Sequence, residues 1–173
     1  MICDTVVNTF MQSIESSVLV SISKAIAPIF DPVVLIVLSL VVAPYIYMKS
    51  SKKNGIIFGA MILITGGIIW VLKQTFGRLR PLEALSTELS YSFPSGHATM
   101  AVVFFGILIY LFVSKKYRVW GIVVASLLVL FVGFSRLYLR VHWLTDVLGG
   151  FIIGGVILAA GIWAFNAQGR TRH

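Results

Sequence analysis

The sequence predicts an all-α integral membrane protein: a bundle of five transmembrane helices preceded by an N-terminal interfacial amphipathic helix. Three observations predict it. Hydrophobic residues make up 58% of the 173 residues and charged residues only 12%, with a mean hydropathy of +0.97. A soluble domain runs nearer about 45–50% apolar and about 25% charged. A larger core does not supply that difference, so lipid is the solvent of most of the chain. The apolar residues fall in five runs of roughly spanning length, and the charges are confined to short clusters between them.

A spanning helix needs about 20 mostly apolar residues, with a lower limit near about 17. The runs cover residues 32–48, 55–72, 98–113, 119–134 and 143–165. The short ones are expected to extend into the polar motifs that flank them. Strands are excluded, because strands rarely exceed about 10 residues. The second run contains Gly66-Gly67; glycine is common in membrane helices, so the run reads as one helix.

The first 31 residues differ. Val6, Val7, Phe10, Met11 and Ile14, then Val18, Leu19, Ile22, Ala25 and Ile26, recur at helical spacing, interrupted by Gln12, Glu15, Ser16, Ser23 and Lys24. Such a stripe suits a helix lying in the membrane interface. A sixth span is the alternative. Glu15 and Lys24 oppose it, since a charge at the bilayer centre costs about 2.5–3.5 kcal/mol on insertion scales. The chain therefore divides into an interfacial segment, 1–31, and a membrane domain, 32–173. Asp4 and the lack of an early basic region speak against a cleavable signal peptide.

Lys49, Lys52 and Lys53, then Lys115, Lys116 and Arg118, then Arg170 and Arg172 follow the first, third and fifth runs and so share one side. By the positive-inside rule that side, with the C-terminus, is cytoplasmic. These clusters account for much of the net charge of +8 without a nucleic-acid partner. The single cysteine, Cys3, excludes an intramolecular disulfide and a cysteine-rich metal site. The opposite side carries Lys73, Arg78, Arg80, Arg136 and Arg140, where topology calls for little positive charge. Basic residues gathered at outward helix ends make a phosphate pocket.

Three outward segments hold nearly all the unusual polar residues. Lys73 begins a stretch that ends in Arg80-Pro81; Pro94-Ser95-Gly96-His97 opens the third run; Ser135-Arg136, His142 and Asp146 join the fourth and fifth. A phosphoryl group passes through a transition state with charge on three equatorial oxygens, and fixed cations and backbone N–H groups stabilise it. Lys73 offers a point charge, and Arg80 and Arg136 offer bidentate forks. The N–H groups of Ser95, Gly96 and His97 lie at a positive helix end. His142 and Asp146 are four apart, so on a helix they share a face. A carboxylate beside an imidazole fixes its tautomer and favours positive charge on it, which helps a histidine nucleophile. His97 then suits a general acid.

These segments resemble the three signature motifs of the type 2 phosphatidic acid phosphatase superfamily: K-x6-R-P at 73–81, P-S-G-H at 94–97 and S-R-x5-H-x3-D at 135–146, all intact and in order. The resemblance implies a membrane phosphatase that needs no metal or other cofactor. It implies that His142 forms a phosphohistidine, that Asp146 orients it, that His97 protonates the leaving group, and that Lys73, Arg80, Ser95, Gly96 and Arg136 bind the phosphate. Ser135 is either a further phosphate ligand or a helix-end packing contact. Many family members have six spans where this chain shows five. The expected substrate is a polyprenyl (undecaprenyl) pyrophosphate, with phosphatidylglycerophosphate and phosphatidate as close alternatives, met at the extracytoplasmic face of the cell membrane. A non-catalytic lipid-phosphate binding or transport protein is the alternative of another class. Haloperoxidases share the motif set but are soluble in the main, and the spans speak against them.

The remaining outward residues have structural readings. Arg78 and Arg140 meet lipid headgroups or hold structure, unless they bind a distal phosphate. Glu83 and Glu88 lie in a solvated loop, with a substrate-gating role as the alternative. Tyr138 and Trp143 fit an interfacial aromatic belt, and Gly149-Gly150 and Gly154-Gly155 fit helix contacts.

Overall fold

The computed structural model describes residues 2–167. Arg170 and Arg172, the third basic cluster, lie outside the described residues. Seven helices run in order: α1 (Ile2–Ser13), α2 (Ser17–Ile26), α3 (Pro32–Lys49), α4 (Lys52–Phe76), α5 (Gly96–Phe112), α6 (Arg118–Tyr138) and α7 (Leu144–Ala167), with a 3-10 turn (Ala27–Phe30) between α2 and α3. No strand occurs among the described residues. Among the described residues four helices, α3, α4, α6 and α7, are long and apolar enough to cross a bilayer. The fifth, α5, has 17 residues, the lower limit for a span. It stands at the centre of the bundle, packed against α4, α6 and α7, with Met100, Val103, Phe104 and Ile107 buried against Phe58 and Ile62 of α4.

The expected extension of the spans into the motifs occurs, and the local chemistry sets each end. Asp31 caps α3, accepting the Val33 N–H at 2.8 Å, and Pro32 fills the first helical position. Ser51 caps α4 through the Asn54 N–H. α4 then runs unbroken through Gly66-Gly67 and stops at Gly77, whose φ of +55° is the left-handed conformation of a helix C-terminus. Lys73 is thereby placed in the last turn of α4, Ser95 at the cap of α5, Arg136 in the last turn of α6 and Asp146 in the first turn of α7. Four helix ends meet on one side of the bundle.

The N-terminal stretch is two helices rather than the single one expected, bent by 117°, and so is not a straight sixth span. The break is stabilised from a distance. The Tyr138 hydroxyl donates to the Ile14 carbonyl at 3.0 Å and accepts the Ser16 N–H at 2.8 Å, satisfying backbone groups that a continuous helix would pair internally. Tyr138 is thus buried, not part of an aromatic belt. Trp143 is half-buried, with its indole N–H donating to the Leu79 carbonyl at 2.9 Å. Val6, Phe10 and Val18 point outward while Asp4 and Ser23 are buried. Most of the apolar stripe faces the surroundings, with Met11 turned in, and Gln12, Glu15 and Lys24 are exposed as well.

Small residues let α7 approach α5. A Cβ added at Gly150 would lie 2.9 Å from the Ser95 carbonyl oxygen and 3.0 Å from the Ala98 Cβ, whereas at Gly155 it would meet nothing within 4 Å. Gly155 is therefore not the packing contact expected of it. Gly150→Ala is expected to destabilise the bundle by about 1–3 kcal/mol, the usual cost of overpacking. Thermal unfolding in detergent checks this, with Gly155→Ala expected to match the parent.

Candidate active site

The Asp146 carboxylate is fully buried and organises the centre. His142 lies in the loop before α7, so the pair is not made by two residues sharing a helical face as the spacing predicted. Instead Asp146 folds back over the helix start. Its Oδ2 accepts the Trp143 N–H at 2.9 Å and lies 3.5 Å from His142 Nδ1, while Oδ1 takes Arg78 Nη1 at 2.5 Å. The opposite ring nitrogen, His142 Nε2, is 3.3 Å from Arg80 Nη1. A guanidinium donates and never accepts, so Nε2 presents its lone pair and the proton sits on Nδ1, toward the carboxylate. Burial pushes the His142 pKa down to about 4 against the opposing pull of Asp146. The ring is neutral at ordinary pH.

Arg80 is fixed by the chain around it. Its Nε donates to the Ser90 carbonyl at 2.8 Å and its Nη1 to the Val141 carbonyl at 2.6 Å, and Glu88 lies 3.7 Å from Nη2. Lys73 donates to the Tyr91 carbonyl. Arg136 is buried, with Nη1 3.4 Å from His97 Nε2 and Nη2 donating to the Ser23 carbonyl at 3.4 Å. His97 Nε2 stands between an acceptor, the Ala27 carbonyl oxygen at 3.2 Å, and a donor, Arg136 Nη1 at 3.4 Å. Asp31 Oδ2 is 3.8 Å from the same nitrogen.

The two serines differ. Ser135 donates to the Val132 carbonyl at 2.8 Å and accepts from Arg136 Nε at 3.3 Å, so its hydroxyl is engaged in holding the arginine. Ser95 Oγ is buried with no partner among the described residues. It stands beside Gly96 at the amino end of α5, where the helix dipole favours an anion.

A cavity of about 270 Å³ opens on part of this set; Ser95, Ser135, Arg136 and Asp146 are not among its lining residues. Lys73, Arg80, Gly96, His97 and His142 line its polar part, and Val33, Ile36, Ile69 and Trp70 line an apolar part between α3 and α4. A larger groove, about 500 Å³ between α5, α6 and α7, contains none of the motif residues; the chemistry, not the volume, selects the site. Among the described residues no group of three His, Cys, Asp or Glu is placed to hold a metal ion.

Several contacts of the site were not readable in the sequence. Arg78 bridges Asp146 and Asp4, Glu88 pairs with Arg80, and Arg140 pairs with Glu15 at 2.8 Å. Glu83 accepts a hydrogen bond from Asn8 at 3.3 Å.

The profile of the PAP2 superfamily matches residues 54–170, most of the chain. The chain belongs to the PAP2 superfamily. Among PAP2 relatives, it is 40% identical over 90 residues to phosphatidylglycerophosphatase B of Bacillus subtilis, covering 49% of this chain and 44% of that protein. It is 34% identical over 127 residues to the undecaprenyl-diphosphatase of Sulfolobus acidocaldarius, covering 68% and 58%. The chain therefore spans about half the length of these curated relatives. The crystal structure of a transmembrane PAP2-type phosphatidylglycerolphosphate phosphatase from Bacillus subtilis superposes with a TM-score of 0.87 at 26% identity, over 95% of this chain and 85% of that one. Aquifex aeolicus LpxE shares the fold, with a TM-score of 0.75 at 20% identity over 92% and 94%.

Proposed function

We propose that this chain is a metal-independent lipid phosphatase that hydrolyses a polyprenyl (undecaprenyl) pyrophosphate, or a related lipid phosphate, through a phosphohistidine at the outer membrane surface. The observation that carries this reading is the orientation of His142, with Nε2 3.3 Å from Arg80 Nη1 and Nδ1, which has no closer partner among the described residues, 3.5 Å from Asp146 Oδ2. Binding alone needs the cations but has no use for an oriented, neutral imidazole backed by a buried carboxylate.

In the proposed reaction His142 Nε2 attacks phosphorus and the bond to the leaving oxygen breaks, with His97, doubly protonated beside the bound phosphate, giving that oxygen a proton and becoming neutral. Lys73, Arg80, Arg136, the Ser95 hydroxyl and the N–H groups at the start of α5 meet the charge on the equatorial oxygens. Asp146 meets the positive charge left on the phosphorylated ring. Water then attacks phosphorus, His97 takes a proton from it, and His142 is restored as phosphate leaves.

The motif-bearing helix ends lie opposite the Lys49, Lys52, Lys53 and Lys115, Lys116 clusters, which supports an extracytoplasmic site and a cytoplasmic C-terminus. The apolar part of the cavity between α3 and α4 supports a lipid substrate. Arg78 is held between Asp4 and Asp146, so it does not serve as an extra cation for a second phosphate; Arg140 pairs with Glu15 through Nη2 while its Nε and Nη1 are buried without a partner among the described residues. Phosphatidylglycerophosphate is therefore a full second reading, favoured by the 0.87 superposition on the Bacillus subtilis enzyme.

The test is phosphate release by purified protein in detergent with EDTA, on polyprenyl pyrophosphate, phosphatidylglycerophosphate and phosphatidate side by side. Turnover unaffected by EDTA is expected, fastest on one of the first two. Release from none of the three would turn the reading to a binding or transport protein, and activity lost to EDTA and restored by a divalent ion would overturn the metal-independent mechanism.

A further inference from the structure

The PAP2 match begins at residue 54, yet the chain before it touches the site repeatedly. The Ser23 and Ala27 carbonyls meet Arg136 and His97, and Asp4 reaches furthest in. Asp4 is 3% exposed. Its Oδ2 takes Arg78 Nη2 at 2.7 Å, and its Oδ1 accepts the Thr145 N–H at 2.9 Å. Arg78 Nη1 donates in turn to Asp146 Oδ1 at 2.5 Å, and the guanidinium lies over the Trp143 ring, 5.6 Å from its centroid. The other oxygen of Asp146 faces His142. Asp4, Arg78 and Asp146 form a line of alternating charge that ends on the imidazole.

We propose that Asp4 and Arg78 are positioning residues that set how much negative charge Asp146 offers to His142. This inference rests on the phosphohistidine reading above. Arg78 draws charge from the Asp146 carboxylate on the side away from His142, and Asp4 moderates that pull by sharing the guanidinium. Removing Asp4 leaves the arginine acting fully on Asp146, so His142 is less basic and the phosphorylated ring is less stabilised. Removing Arg78 frees Asp146 of its cation and adds repulsion from Asp4, so His142 is more basic. The two substitutions shift the nucleophile in opposite directions. A purely structural strap, tying α1 to α7, predicts loss of stability in both variants and no opposed shift.

The other charged groups around His142 stay the same in both variants. Arg80 and Lys73 bear on it directly, His97 lines the same cavity with Arg136 beside it, and Glu88 and Asp31 pair with Arg80 and His97. The measurement is the pH dependence of kcat/KM for the full chain in detergent, whose acidic limb reports the free enzyme's essential base. Lipid phosphate and p-nitrophenyl phosphate serve as substrates.

Asp4→Asn is expected to lower kcat about 10–100-fold, the usual range for a group supporting a catalytic ligand, and to move the acidic limb down. Arg78→Gln is expected to move the limb up, and Asp4→Glu to recover part of the Asp4→Asn loss. Limbs that coincide with the parent, or shift the same way in both variants, would overturn the proposal while leaving the phosphatase reading intact. Absence of turnover in the parent would instead sink that reading. Should Arg78→Gln not fold, Asp4→Asn decides alone: an unmoved or raised limb refutes the charge line.

Discussion

His142→Ala is expected to abolish phosphate release, with kcat falling about 10⁶-fold, the scale seen when an enzyme's nucleophile is removed. The size of the effect follows from the lack of a substitute. His97 Nε2 is occupied between the Ala27 carbonyl and Arg136 Nη1, and Lys73 and Arg80 are cations without a lone pair to offer. Burial holds the His142 pKa at about 4, so the parent nucleophile is unprotonated through the neutral range and its acidic limb lies well below the ordinary histidine value of about 6.5. The sign is fixed: activity governed by His142 falls only as pH drops through the depressed value. Radiolabelled phosphate release and acid-labile labelling of the parent protein provide the check. Appreciable turnover by the variant, or an unchanged yield of labelled protein, would refute the nucleophile assignment.

Asp146→Asn tests the partner. It leaves the Trp143 N–H an acceptor but removes the charge that opposes the phosphorylated ring. It is expected to cost less than His142→Ala, at about 10⁴-fold.

The parts of the site that were legible in the sequence are those fixed by local rules. Lys73 sits one turn before a glycine that ends α4, and Ser95 sits where a polar turn gives way to an apolar run, so each was assignable to the outward end of a helix. The unexplained cations of that side pointed to an anion. The parts that were not legible depend on partners remote in the chain. The break between α1 and α2 is satisfied by Tyr138, 122 residues from Ser16, and hydropathy carries no trace of it. The same tyrosine reads as a belt residue because an aromatic near a span end looks alike whether its hydroxyl faces water or a backbone break. His142 and Asp146 have helical spacing, but a carboxylate near the start of a helix also caps it, and capping places His142 ahead of α7. Asp4 had no local signal at all. Its role exists only because the fold sets it against Arg78.

His97→Gln is the complementary test, and its informative feature is its dependence on the leaving group. The reading gives His97 one proton to deliver, to the oxygen that departs. A lipid alkoxide needs that proton badly, whereas p-nitrophenolate leaves without it. The variant is therefore expected to lose about 10²–10⁴-fold on a lipid monophosphate, the usual contribution of a general acid, and far less in the first step on p-nitrophenyl phosphate. His97 also returns in the second step, taking a proton from the attacking water, so dephosphorylation should slow on every substrate alike. Together these give a specific kinetic pattern: a rapid burst of p-nitrophenolate, about one per protein, followed by slow turnover and a build-up of phosphohistidine. Stopped-flow absorbance reads the burst, and acid-labile labelling reads the intermediate. A steric role for His97 predicts something else, since glutamine fills a similar volume and keeps a donor toward the Ala27 carbonyl. An equal loss on both substrates with no burst would show that His97 holds Arg136 in place rather than moving a proton.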